Sequence, residues 1–271
     1  MPFERFEYEG DESVDMYRHT NGRTNLTLTK PQKLIEDNPT YNYFIGALDS
    51  LGELLDKEPA IHENTRLSTV GKNEKIEPLR TSAVNGIARV AATMDKYEGT
   101  INAREAKLLG VPELTSGDAG GGLIDREIRE YFRSQPAEVQ NRLISSMKDG
   151  PEHVRIELAL LRSPIALVDH QTRLIRESWD RRSRLANPAE AFDIENARAA
   201  IDWARAGLGH VAGMTRSVTG WGADQLIRSL IEGKDEYAMR GVKVFGFDDQ
   251  MIVRTRALLD QERRRESAAA R

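Results

Sequence analysis

Five histidines and 43 acidic residues are the groups through which this chain could move protons or hold a metal. His153 and Glu157, four residues apart beside Glu152, have helical metal-ligand spacing, and no third ligand stands nearby to complete a site. Asp169 and His170 are adjacent, so on a helix they point in different directions, and no nucleophile elbow accompanies them. A carboxylate pair for acid–base work always exists somewhere among so many acids, but composition nominates none. No catalytic residue, cofactor or metal ligand is therefore expected.

Two glycine groups invite a phosphate-binding reading. In "TSGDAGGGLIDREIREYF", residues 115–132, the run precedes an amphipathic helix, as a phosphate loop would. That loop needs Lys and Ser/Thr after its last glycine, whereas Leu123 and Ile124 follow Gly122, no strand precedes it, and Asp118 would repel an anion. A connector between two helical pieces is the expectation. In "GLGHVAG", three residues rather than two separate Gly209 from Gly213, and a helix comes before it where a dinucleotide fingerprint needs a strand. Gly207 is expected to stop that helix.

The sharpest polar cluster is "RLIRESWDRRSRL", residues 173–185. Arg173, Arg176, Arg181, Arg182 and Arg184 surround Trp179, a combination suited to a protein partner or to phosphates and stacked bases. Trp179 also falls on an apolar stripe, where it would be a core residue with a solvated arginine face. By contrast, Arg263, Arg264 and Arg265 belong to a terminal segment, 247–271, with six arginines against five acids, so no basic tail is expected.

These residues must be positioned by a chain of 271 residues that is 39% hydrophobic, enough for a sizeable core. A net charge of -4 supplies no global field for nucleic acid or membrane, and the absence of cysteine excludes disulfides and thiolate chemistry. The first residues lack the pattern of a secretory signal, and no stretch reaches the roughly 18 apolar residues of a membrane span. The expectation is a soluble protein, cytoplasmic or within a large intracellular assembly such as a virion, with no membrane partner.

Residues 1–37 read as an extended arm. Phe3, Phe6 and Tyr8 are interleaved with acids, too charged a mixture to form a core alone. Asn21-Gly22 between alternating runs predicts a β-hairpin with a type I′ turn. From Asn38 the period becomes helical, with Phe44, Leu48 and Leu51 on one face of a helix ending near Pro59. A second helix carries Ile76, Ala83, Ile87 and Met94 and ends at Gly99, followed by a short one capped by Asn102. Val154, Leu158, Leu161, Ile165, Val168, Thr172, Ile175 and Trp179 form the most regular stripe, which Pro164 either kinks or divides. Ile194, Ala197, Ile201, Ala204 and Leu208 define another buried face, and "VKVFGF" reads as a brief strand before a terminal helix.

The expected fold is mainly α: a multi-helix bundle-like body with an N-terminal extended arm containing a β-hairpin. Its expected domains are the arm, helical subdomains at 38–116 and 123–271, and a glycine-rich connector at 117–122. The expected function is a non-enzymatic subunit of a homo-oligomer or other assembly, held by arm exchange and helix packing. Its partner-binding residues would be Phe3, Phe6, Tyr8, Arg173, Arg176, Trp179, Arg181, Arg182 and Arg184. Nucleic-acid binding through 173–184 is the alternative, and a helical enzyme with a carboxylate or histidine site is the third reading.

Overall fold

The computed structural model describes residues 2–7, 13–31, 33–115, 117–147 and 153–269. The fold is mainly α with a three-stranded antiparallel sheet at the N-terminus. Two compact units divide the chain: residues 1–100 with 196–271, and residues 101–195. Residues 117–122, expected to connect two subdomains, lie inside the second unit.

In the first unit, β1 (Phe3–Glu7), β2 (Val14–His19) and β3 (Asn25–Thr29) pair in chain order, with Phe3 opposite His19 and Arg18 opposite Asn25. The Asn21-Gly22 turn is present but is not type I′: His19 N–H donates to Thr24 O, so four residues close the loop, and only Gly22 takes a positive φ, 70°. Asn21 instead accepts from the Arg23 N–H at 2.9 Å. Period-2 alternation turns Tyr17, Leu26 and Leu28 inward, and Phe3 joins them. They bury against Phe44, Leu48 and Leu51 of α2 (Pro39–Glu63), behind the short α1 (Lys33–Glu36). The described strands of the acidic arm thus have a core on their own chain, because Phe3, Tyr17, Leu26 and Leu28 share one face, whereas Phe6 lies on the other. Asp15, buried within the sheet, is neutralised by Arg5, which also reaches Glu36.

The helices follow their apolar stripes but not their expected ends. Asn38 caps α2, accepting from the Thr40 N–H at 3.1 Å, and α2 continues past Pro59. Next, α3 runs unbroken from Thr69 to Leu108, through Gly99 and Asn102. Later, α8 (Pro188–Thr219) passes through Gly207. A Cβ at Gly207 would stand 2.6 Å from the Phe44 ring, so this glycine permits close packing instead of stopping the helix. Phe44 meets Trp203 edge-on at 4.9 Å, and Trp203 Nε1 donates to Thr29 O at 2.8 Å, tying β3 to α8. Beyond it lie α9 (Ala223–Glu232) and α10 (Glu236–Arg240). The expected strand at "VKVFGF" is a 3-10 turn, Val242–Phe245, ending on Gly246 at φ 80°. The last helix is α11 (Asp249–Ala269), which packs on α9.

In the second unit, α4 (Ala119–Ser134), α5 (Ala137–Ser146), α6 (Val154–Arg162) and α7 (Asp169–Ala186) enclose Phe132, Ile144, Met147, Leu160 and Ile175. Pro164 divides the long stripe: α6 ends at Arg162, and a 3-10 turn, Pro164–Ala166, precedes α7. Ile165 and Val168, at and after the break, are exposed, and on α6 it is Glu157, Ala159 and Leu160 that point inward.

Candidate interaction site

The arginine cluster on α7 is built into the second unit more than it is displayed. Trp179 is 9% exposed, and its Nε1 donates to Leu109 O at 3.1 Å, as does Arg176 at 3.0 Å. Arg176 also pairs with Asp180 one turn on. Arg182 binds Glu157 at 2.9 Å and Met147 O at 2.8 Å, while Ser178 donates to the same buried carboxylate. Arg184 pairs with Glu105 and Glu195. Of the cluster, Arg173 and Arg181 are exposed, and Arg173 stands 3.2 Å from His170 Nδ1. Trp179, Arg176, Arg182 and Arg184 therefore hold α7 to its neighbours, so few arginines remain for phosphates.

Two buried carboxylates organise this unit: Asp125, which the sequence did not single out, and Glu157, which it singled out only for its spacing from His153. Glu157 takes Arg182; Asp125 takes Arg155 at 2.8 Å and Arg162 at 2.9 Å. Such pairs need further partners for their donors, and each arginine has one: Arg155 donates to Gly121 O and Arg162 to Pro112 O, each at 2.7 Å. The available signal was an acid on an apolar face, Glu157 three residues before Leu160 and Asp125 seven before Phe132. The glycine run finds its explanation here. Asp118 caps α4, accepting from the Gly121 N–H at 2.9 Å, and Gly120–Gly122 form the first turn. A phosphate nest would need that N–H free. Glu157, half of the metal-spaced pair, is occupied by Arg182 and Ser178; Glu152 lies outside the described residues.

Of the arm residues expected to meet a partner, Phe3 is buried and packs edge-on to His19 at 5.0 Å. Phe6 is exposed on the sheet, with the Arg18 guanidinium 5.3 Å from its ring centroid. Tyr8 lies outside the described residues. The structure does not gather these side chains with the α7 arginines into one unit: residues 3 and 6 belong to the first and residues 173–184 to the second.

Beside its exposed charges, the second unit also displays apolar side chains. Eleven large hydrophobic side chains are exposed among the described residues, and seven of them fall in residues 101–195: Leu123, Ile124, Tyr131, Ile165, Val168, Leu185 and Phe192. That unit is about a third of the chain, so the excess is real. On α4, Ile124 and Tyr131 stand two turns apart with half-buried Ile128 between them, an outward stripe at helical spacing. The turn carrying Ile165, which is 83% exposed, packs against the same helix. An exposed apolar stripe such as Ile124–Tyr131 is the kind of feature that marks an interaction face when it is contiguous. Neither a protein-family model, a curated protein nor a solved structure matches this chain.

Proposed function

We propose that this chain is a non-enzymatic subunit of a larger assembly, and that it associates with further copies of itself through helix faces of residues 101–195. The observation that carries this reading is the concentration of exposed apolar side chains there, above all the Ile124–Tyr131 stripe of α4. Isologous contact between two such stripes would bury Ile124, Ile128 and Tyr131 against their own counterparts, the geometry that a two-fold dimer requires. The arm enters differently from the expectation of exchange between subunits. Its described strands already turn their inward side chains onto their own helices, so association is assigned to helix packing.

The chain has no cysteine, which makes a single reporter clean. Tyr131→Cys labelled with pyrene is expected to show excimer emission at micromolar concentration that disappears on dilution with unlabelled protein. Monomer emission alone, at every concentration, would contradict the proposal.

A further inference from the structure

Within the first unit, a cleft of about 480 Å3 opens between the α9–α10 turn and α11. Ile231, Met239 and Ile252 give it an apolar lining, and Lys234, Arg240 and Arg256 bring three cations to it. None of the three is ion-paired with a described residue. Two acids share the lining. Asp235 is taken by Arg89 and caps α10 through the N–H groups of Tyr237 and Ala238, which leaves Glu236 against three cations.

Lys234 is also the single non-glycine with a positive φ, 53°, among the described residues. It follows Gly233 at the end of α9, where glycine would adopt the left-handed conformation without strain. A lysine held there, beside two unpaired arginines and an apolar surface, is a local strain of the kind that clusters at ligand sites. The geometry points to a binding site for a small amphipathic anion. Its apolar body lies on Ile231, Met239 and Ile252; its carboxylate or sulfonate head meets Lys234, Arg240 and Arg256. The cleft falls in the size range of small-molecule sites, and a guanidinium fork matches such a head group in geometry as well as charge.

The test is a fluorescence titration of the full chain with anilinonaphthalene sulfonate, an amphipathic anion, followed by displacement. One probe is expected to bind per chain, and decanoate is expected to displace it where decanol does not. Arg240 and Arg256 are exposed, so the double variant Arg240→Gln, Arg256→Gln keeps the fold, as circular dichroism would verify. It should weaken probe binding about tenfold or more. Lys234→Gly should weaken binding without lowering Tm, because glycine relieves the backbone. Unchanged affinity in the double variant, equal displacement by decanol, or no saturable binding would overturn the proposal. So would displacement by an acidic peptide but not by decanoate, which reassigns the cleft to a protein partner. A mass that halves in the double variant would reassign it to a second copy and overturn it equally.

Discussion

Charge at single residues decides most of what the sequence left open. Arg182 and Arg181 are neighbours with opposite roles: one holds buried Glu157, the other is exposed. Arg182→Met strands a buried carboxylate and should destabilise by about 3–5 kcal/mol in urea unfolding. Arg181→Met should stay within about 0.5 kcal/mol; equal, small losses would contradict the structural role given to Arg182. A second test uses pH. The Arg89 guanidinium, then the N–H groups of Ala238 and Tyr237, hold the Asp235 carboxyl below its ordinary value. A carboxyl lowered by folding stabilises fully above the ordinary carboxylate range, and that contribution is lost as pH falls through the lower folded value. Arg89→Gln should therefore narrow the gap in urea midpoint between about pH 7 and about pH 3. An unchanged gap would remove the Arg89–Asp235 pair from the acid response. None of these partnerships was legible beforehand, since Arg182 and Glu157 are 25 residues apart and Arg184 and Glu105 are 79 apart. The run of arginines was visible; its partners were not.

At the scale of elements, the stripes of α2 and α8 were legible, that of residues 154–179 only in part, and helix ends were not. Phe44, Leu48 and Leu51 on α2 and Ile194, Ala197, Ile201 and Leu208 on α8 are buried as their spacing implies, because one-sided burial leaves a period in the sequence. Gly99 and Gly207 look like stops in the sequence, yet both lie inside helices. An interior glycine costs only about 1 kcal/mol, and at Gly207 the approach of Phe44 to the backbone outweighs it. The arm shows the same limit. Its acidity was legible, but the inward alternation of Phe3, Tyr17, Leu26 and Leu28 acquires meaning only once β1 pairs with β2. Deleting residues 1–30 removes all four from the core, each contributing about 1.5–3 kcal/mol. Their sum is comparable to the whole margin of about 5–15 kcal/mol that keeps a protein folded. The truncated chain should lose its cooperative thermal transition by circular dichroism. A truncated chain that melts cooperatively with full helicity would show that the arm is dispensable to the fold.

For the molecule as a whole, two units share one chain, and they differ in what they show to solvent. The first unit sets its sheet, α2, α3 and α8 around one large core. The second closes a smaller core with buried ion pairs and leaves apolar side chains outside. A small core buries a lesser share of its apolar surface, and what remains exposed is available to another copy. Mass in solution tests this most directly. Light scattering on the intact chain at micromolar concentration should give a multiple of the 30.5 kDa chain mass. The double variant Ile124→Glu, Tyr131→Glu, placed at two exposed positions, should give the single-chain mass with its helicity intact. An intact chain that already scatters as one copy, or a double variant whose mass does not fall, would contradict the assembly reading.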